Sequence, residues 1–234
     1  MIREAIILAG GLGTRLRSSV PDLPKCMAPV AGKPFIAHVT DYLLDAGIEK
    51  LTFALGYKSD YFNKFLDRYL PRESYNISHE EEPLGTGGAI RLACRQVKSA
   101  QTMVLNGDTL FRIGIKKLSD FHQEKEADCT LCLKPMHAFN RYGAVELGTG
   151  GQIKNFREKQ FFDQGLINGG VYMLNTSKFL DEDLPAKFSF EKDYLEKMVC
   201  YRHFFGLVQD AYFIDIGIPE DYQRAQSELA DDGS

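Results

Sequence analysis

The chain has 234 residues, of which 26% are charged and 44% hydrophobic, and its formal net charge is −4. This length suits one large domain or at most two small ones, and the composition is ordinary for a soluble globular enzyme. The negative charge gives no general attraction for nucleic acid or an anionic membrane, and no apolar run approaches the ~20 residues of a membrane span. An anionic ligand would therefore have to be held by local basic groups and a metal.

The first half of the chain alternates predicted strands with predicted helices. Strands are predicted at residues 5–9, 51–55, 75–79 and 102–105, and helices at residues 35–46, 59–70 and 89–97. Gly47 and Pro71 follow the first two helices and are residues that end helices. This βαβα alternation predicts a parallel sheet with helices on both faces.

The second half is richer in strands. Strands are predicted at residues 127–133, 143–147, 152–156, 170–174 and 212–216, helices at 190–199 and 219–229, and a frayed tail at 230–234. We find no repeat and no Pro/Gly/Ser linker, which favours one domain over residues 1–234. The predicted fold is a single-domain α/β, Rossmann-like fold with a mostly parallel mixed sheet flanked by helices.

The chain has five cysteines, an odd number, and its first residues do not form a signal peptide. We therefore expect reduced thiols and a cytoplasmic protein. Cys129 and Cys132 have a C-x-x-C spacing but lie in a predicted strand, where residues three apart point to opposite faces. This placement argues against a zinc site.

The strongest local motif is L-A-G-G-L-G-T-R-L at residues 8–16, directly after the first predicted strand. Its glycines would let backbone N–H groups approach phosphates, and Arg15 adds a planar cation that can hold phosphate oxygens. A tight strand-to-helix turn is the alternative interpretation. A dinucleotide fingerprint fails because Leu16 stands where glycine is needed, and a P-loop fails because Pro34 follows Gly32-Lys33.

Together with P-K-C-M-A-P at residues 24–29, this motif resembles the signature of the sugar-phosphate nucleotidyltransferase family. Cys26 departs from it, because the family usually has proline there. The resemblance implies that the glycine loop, Arg15 and Lys25 hold the triphosphate. A second glycine-rich segment, E-E-E-P-L-G-T-G-G at residues 80–88, resembles the loop that packs on the nucleobase. The implied nucleotide-binding residues are Leu8, Ala9, Gly10, Gly11, Gly13, Thr14, Arg15, Lys25, Glu80, Pro83, Gly85, Thr86, Gly87 and Asn106.

Two aspartates resemble the metal ligands of the family. Asp108 closes N-G-D at residues 106–108, and Asp215 lies in F-I-D-I-G-I-P at residues 213–219. Taken alone, each could simply open a turn. The resemblance implies that both bind Mg²⁺, and that Arg15, Lys25 and Asp108 are the catalytic residues.

Segments F-R-E-K at residues 156–159 and N-G-G-V-Y at residues 168–172 resemble the part of the family that binds the sugar phosphate. An ordinary surface ion pair is the alternative for Glu158 and Lys159. The implied sugar-phosphate-binding residues are Gly107, Tyr142, Gly143, Glu158, Lys159, Asn168 and Gly169. Residues 1–110 would then form the nucleotide-binding half and residues 111–229 the sugar-binding half.

The segments at residues 140–143, 164–170, 187–191 and 212–217 look most like those of one group in the family, the D-glycero-α-D-manno-heptose 1-phosphate guanylyltransferases of bacterial surface polysaccharide synthesis. The resemblance implies transfer of a nucleoside monophosphate, with GTP favoured, to a sugar 1-phosphate, with release of pyrophosphate and a possible homodimer. Alternatives within the family are mannose-1-phosphate guanylyltransferase and N-acetylmuramate-1-phosphate uridylyltransferase. A nucleotide-sugar sensor without turnover is the alternative outside enzymes.

Overall fold

The computed structural model of the chain describes residues 2–11, 23–56 and 59–230. Its strands are β1 Glu4–Leu8, β2 Pro29–Val30, β3 Lys33–Pro34, β4 Lys50–Leu55, β5 Tyr75–His79, β6 Gln101–Asn106, β7 Thr109–Phe111, β8 Cys129–Phe139, β9 Ala144–Leu147, β10 Ile153–Arg157, β11 Phe162–Asn175, β12 Phe204–Val208 and β13 Phe213–Asp215. Its α-helices are α1 Phe35–Asp45, α2 Ser59–Tyr69, α3 Gly85–Cys94, α4 Ile115–Glu124, α5 Thr176–Leu180 and α6 Pro219–Glu228. A π-helix covers Phe190–Glu196.

A nine-stranded sheet runs through the molecule in the order β10-β9-β11-β6-β1-β4-β5, and β8 adds to β11 and carries β12. Strands β6, β1, β4 and β5 are parallel, whereas β11 is antiparallel to β6, β8 and β9. The apolar run Ala5–Ile7 at the centre is fully buried, as expected for a strand covered on both faces. The predicted α/β fold with a mixed sheet flanked by helices is confirmed.

Two hydrophobic cores lie on the two faces of this sheet. One contains Phe35, Phe53 and Phe62 of the first half together with Ile214 and Ala225. The other is built from α3, α5 and the π-helix. Cys129 belongs to the second core and Cys132 to the first, so the prediction that these two side chains face opposite sides is confirmed.

The structure differs from the predicted elements where tertiary pairing outweighs local preference. Strand β11 spans fourteen residues instead of five, because β8 pairs with most of it across its glycines and asparagine. Helix α3 begins at Gly85 rather than at residue 89, although glycine is a poor helix former. Helix α4 and strand β12 were not predicted. Within the described residues, none of the helices is long and apolar enough to cross a membrane.

Candidate active site

A cleft of about 670 Å³ opens at the carboxyl ends of β1 and β6, the edge where open α/β sheets bind ligands. Its described lining residues are Leu8, Ala9, Gly10, Gly11, Lys25, Cys26, Ala54, Glu80, Pro83, Gly85, Thr86, Ala89, Asn106, Asp108, Thr109, Tyr172, Phe190, Glu191, Asp215 and Gly217. Most of the predicted nucleotide-binding residues are therefore brought together. Gly13, Thr14 and Arg15 lie outside the described residues.

The start of the glycine loop is fixed by its neighbours. Ala9 N donates to Ala54 O over 3.0 Å, which continues the β1–β4 pairing one residue past the strand. A Cβ at Gly10 would lie 3.0 Å from Gly56 N and 3.1 Å from Glu80 Oε1. The backbone at Gly10 can approach a ligand because no side chain intervenes, and a larger residue there would push the loop away.

Lys25, Asp108 and Asp215 form the charged centre of the cleft. The Lys25 ammonium donates to Asp108 Oδ2 over 2.5 Å and to Asp215 Oδ1 over 3.3 Å. Burial by itself lowers the pKa of Lys25, but the charges and hydrogen bonds of the two aspartates outweigh it. The net result is a raised pKa, so the ammonium remains protonated at neutral pH.

Residues 108 and 215 meet because two short strands pair outside the main sheet. Strand β13 is antiparallel to β7, with Asp215 opposite Thr109, and Ile216 N donates to Asp108 O over 3.1 Å. Gly217 N donates to Asp215 Oδ1 over 2.8 Å and fixes that carboxylate. The two aspartates, far apart in sequence, are thus held by backbone bonds as well as by Lys25.

The donor set at this centre suits a hard divalent cation. Two carboxylates converge on one ammonium, so the pair already holds a positive charge between its oxygens. Among the described residues, no cluster of three or more His, Cys, Asp or Glu side chains could hold a metal ion. A site with one or two carboxylates completed by phosphate oxygens and water is the arrangement typical of Mg²⁺.

Tyr142, predicted to bind the sugar phosphate, contacts Asp215 directly. Its hydroxyl donates to Asp215 Oδ2 over 3.2 Å, and Arg141 donates to the same hydroxyl and to Asp221 of α6. Burial, and then the charge of Asp215, raise the pKa of Tyr142, so the hydroxyl stays a donor. The adjacent Gly143 lies so close to β10 that a Cβ on it would be 2.4 Å from Arg157 O.

The predicted base loop is clamped by the segment that leads into the π-helix. Gly85 has a φ of +72°, and a Cβ there would lie 2.5 Å from Phe188 O. Gly87 N donates to Phe188 O over 3.0 Å, and Thr86 Oγ1 accepts from Phe190 N over 2.9 Å. Gly85 and Thr86 line the cleft, whereas Gly87 is buried against Phe188 and does not.

Glu80 has a structural contact in the same loop. Its Oε2 accepts from Leu84 N over 2.8 Å, which closes the turn in front of α3. One carboxylate oxygen is therefore engaged by the loop itself, and the residue still lines the cleft. Of the three glutamates at residues 80–82, Glu80 is the one among the described lining residues, and it is the one named as nucleotide-binding from the sequence.

Of three predicted sugar-phosphate residues, Asn168 is bonded to the cleft lining, whereas the described hydrogen bonds include none from Glu158 or Lys159 to it. Asn168 donates from Nδ2 to the Tyr172 hydroxyl (2.8 Å) and to Glu191 Oε1 (3.1 Å), and Tyr172 and Glu191 line the cleft. Glu158 and Lys159 are exposed in the connection between β10 and β11. None of Asn168, Glu158 and Lys159 is among the described residues that line the cleft.

The two remaining predicted glycines have packing contacts. Gly107 N donates to Leu8 O over 2.8 Å, which joins β6 to β1. A Cβ at Gly169 would lie 2.4 Å from the Phe111 ring, so this glycine lets β11 pack closely on β7. Both positions shape the cleft from behind rather than from its surface.

Several lining residues were not predicted as site residues. Thr109 and Gly217 adjoin the two aspartates, and that proximity was an available signal. Phe190 and Glu191 had only the segment resemblance at residues 187–191, and nothing in the sequence placed them at a ligand. Cys26 Sγ contacts Ala9 O at 3.7 Å, and burial raises the pKa of its thiol, which fits a packing residue.

Comparison with known proteins finds chains that are similar over nearly the whole length. A family model described as "Nucleotidyl transferase" matches residues 4–232. The chain is 47% identical to D-glycero-alpha-D-manno-heptose 1-phosphate guanylyltransferase of Aneurinibacillus thermoaerophilus, over 97% of this chain and 98% of that protein. It is 44% identical to the protein of the same name from Campylobacter jejuni subsp. jejuni serotype O:2, over 94% and 96% of the two chains.

A solved structure gives the same result in three dimensions. The crystal structure of HddC from Yersinia pseudotuberculosis complexed with GMP-PN matches with a TM-score of 0.88 at 37% identity, covering 97% of this chain and 100% of that one. The fold and the sequence comparisons therefore agree along nearly the whole length of the chain. The chain belongs to the nucleotidyl transferase family and is an enzyme of that class.

Proposed function

We propose that the chain transfers GMP from GTP to D-glycero-α-D-manno-heptose 1-phosphate and releases pyrophosphate. The observation that carries this proposal is the cleft in which the glycine loop, Lys25, Asp108 and Asp215 converge. The names of the two near-full-length relatives support the choice of substrates.

The chemistry is an in-line displacement at phosphorus. An oxygen of the sugar phosphate attacks the α-phosphorus of GTP and forms the new P–O bond. The bond to the bridging oxygen breaks, and pyrophosphate leaves with that electron pair. A phosphate monoester has its second pKa near 6, so the nucleophile is already anionic at neutral pH and needs no general base. Positioning and charge neutralisation must supply most of the acceleration.

Asp108 and Asp215 would hold Mg²⁺, since their carboxylates already converge on one cation. When bound, the metal would supply charge neutralisation and orientation at the phosphate oxygens. Lys25 reaches the same place and brings a permanent positive charge to it. We assign Lys25 to the triphosphate, together with Arg15, which lies outside the described residues.

The two halves divide the binding work. We assign the triphosphate and base to the loops after β1 and β5, and the sugar phosphate to the surface around Asn168, Glu158 and Lys159. Asn168 supports this assignment because its amide reaches the cleft-lining Tyr172 and Glu191. The nucleotide-binding half is residues 1–110 and the sugar-binding half is residues 111–229, within one domain.

The test is pyrophosphate release by the purified protein with Mg²⁺. GTP, UTP, CTP, ATP and dTTP are each paired with D-glycero-α-D-manno-heptose 1-phosphate, mannose 1-phosphate and N-acetylmuramic acid 1-phosphate. We expect fast release with GTP and the heptose phosphate. Fast release with UTP and the muramic acid phosphate would keep the reaction type and overturn the substrates. Nucleotide binding without release from any pair would instead support a sensor.

A further inference from the structure

Glu191 is a cleft-lining carboxylate to which no role has been assigned above. It is the second residue of the π-helix, an irregular helical form that is frequent at functional sites. Asn168 Nδ2 and the Tyr172 hydroxyl both donate to its Oε1, over 3.1 and 3.3 Å. Among the described hydrogen bonds, none goes to Oε2. One oxygen of Glu191 is therefore oriented by the protein, and the other is open to a ligand.

The charge of Glu191 is not neutralised by the side chains that hold it. Both of its partners are neutral donors, and the described ion pairs include none to Glu191. The one described cation of the cleft lining, Lys25, is engaged by Asp108 and Asp215. Among the described lining residues, Glu191 is therefore a negative charge without a paired cation.

Further carboxylates lie nearby on the same side. The pKa of Glu196 is raised, first by burial and then by the charge of Glu158, with a smaller contribution from Glu191. Glu158, Glu191 and Glu196 thus belong to one acidic region. Lys192 is the cation that opposes this effect, and it does not cancel it.

An open carboxylate oxygen in such a place selects ligands by their donors. It accepts hydrogen bonds from hydroxyl groups, and a charged acceptor makes these bonds stronger than a neutral one does. It repels a second anion, because two like charges brought together in a partly closed cleft are costly. A neutral polyhydroxylated sugar satisfies both conditions, whereas a sugar that carries a carboxylate violates the second.

We propose that Glu191 is a specificity-determining residue that accepts hydroxyl hydrogen bonds from the sugar and excludes sugar 1-phosphates with a second anionic group. This inference rests on the proposed function for the identity of the acceptor as a sugar 1-phosphate. Asn168 and Tyr172 act through Glu191 as positioning residues, since they fix the rotation of its carboxylate.

The test compares the wild type with Glu191→Gln, which keeps the shape of the side chain and removes its charge. Calorimetry measures binding of mannose 1-phosphate and mannuronic acid 1-phosphate, which share a carbon skeleton and differ in one carboxylate. We expect the wild type to bind mannuronic acid 1-phosphate on the order of 100-fold more weakly than mannose 1-phosphate. In Glu191→Gln, this ratio of the two dissociation constants should fall by about ten-fold or more. The KM for the heptose phosphate should rise about ten-fold, with the KM for GTP little changed.

Two further variants make the result specific. Glu191→Asp keeps the charge and should retain the discrimination against the carboxylate. Glu73→Gln removes a negative charge just before β5, the strand at one edge of the sheet. It should change neither the binding ratio nor the KM for the heptose phosphate. An unchanged binding ratio in Glu191→Gln would overturn the proposal, and so would an effect confined to the KM for GTP.

The proposed function and this inference can fail separately. Turnover by the wild type together with unchanged discrimination in Glu191→Gln would leave the reaction intact and remove Glu191 from recognition. Absence of turnover with every substrate pair would overturn the reaction, and calorimetry on the two sugar phosphates would still decide the role of Glu191.

Discussion

At the scale of single residues, the charged centre concentrates the chemistry in three side chains. Lys25, Asp108 and Asp215 are each largely shielded from solvent, with side-chain exposures of 15%, 34% and 21%. Partly buried charges interact more strongly than exposed ones because water screens them less. Removal of Lys25 would therefore leave two facing carboxylates without their cation, whereas removal of either aspartate would leave a single ion pair.

Asp108→Asn should lower kcat by roughly 10²–10³-fold or more, because it removes one of the two carboxylates that converge on the cation. Pyrophosphate release measured across a Mg²⁺ titration checks this. Asp120→Asn, an exposed aspartate of α4 paired with Lys116, is the matched control and should leave the rate unchanged. Ordinary Mg²⁺-dependent turnover by Asp108→Asn would show that Asp108 is not a ligand.

Lys159→Ala should mainly raise the KM for the sugar 1-phosphate, because the exposed ammonium would guide and hold that phosphate. Steady-state kinetics with each substrate varied in turn measures the effect. Lys154→Ala, an exposed lysine on β10 in the same region, serves as the control. A change in the KM for GTP alone would remove Lys159 from the sugar-phosphate site.

At the scale of elements, an aromatic cluster supports the π-helix that carries Glu191. The Phe179 ring of α5 lies 5.7 Å from Phe190, 5.0 Å from Tyr194 and 6.3 Å from Phe188, with all four residues buried. Phe188 and Phe190 also hold the base loop through backbone hydrogen bonds. The same cluster therefore positions both the base loop and the π-helix that carries Glu191.

Phe179→Ala should destabilise the protein by about 3–5 kcal/mol, since it leaves a cavity among these rings. Urea denaturation followed by circular dichroism measures the free energy of unfolding. Phe161→Ala is the control, because Phe161 is 62% exposed and its removal should cost less than ~0.5 kcal/mol. Equal effects of the two substitutions would contradict the packing role of Phe179.

The sequence predicted the parts of these elements that depend on local pattern. The buried run of β1 and the bounds of β5 follow from apolar pattern and turn residues, and the structure has Tyr75–His79 as predicted. Helix α3 and strand β11 were shortened in the prediction because their glycines disfavour both conformations locally. Their true lengths depend on clamping by Phe188 and pairing with β8, which are contacts between distant residues.

The same division applies to the cleft. Motif resemblance indicated Lys25, Asp108 and Asp215, and the structure brings all three together. It could not indicate Phe190 or Glu191, because their place in the cleft depends on how the π-helix packs against α3 and β11. Side-chain positions of this kind follow from tertiary packing rather than from any spacing in the sequence.

At the scale of the whole molecule, stability should depend on one buried histidine. His122 of α4 is fully buried, with Nδ1 2.9 Å from Thr130 Oγ1, and Nε2 has no hydrogen-bond partner among the described residues. Burial lowers its pKa to about 4 from an ordinary value of 6.5, against an opposing effect of Asp128. His122 therefore takes up a proton less readily in the folded protein than in the unfolded chain.

The pKa of His122 is lower in the folded protein than in the unfolded chain. The free energy of unfolding is therefore unaffected by this residue above pH 6.5 and decreases as the pH falls toward 4. The loss amounts to about 1.4 kcal/mol per pH unit and about 3 kcal/mol in total. Urea denaturation of the wild type and His122→Asn at a series of pH values measures it. The variant should be less stable at neutral pH and show a shallower decline, and parallel curves would contradict the assignment.

Lys25 and Asp215 are 190 positions apart, yet they share one ion pair, and Asp108 lies between them in the chain. During synthesis, the ribosome releases the glycine loop and Lys25 long before β13 exists. The nascent chain therefore carries an unpaired lysine and then an incomplete pair until β13 and α6 emerge and the last strand pairing forms. Cleft assembly is thus a late event in translation. A polypeptide that ends before β13 should therefore have no activity.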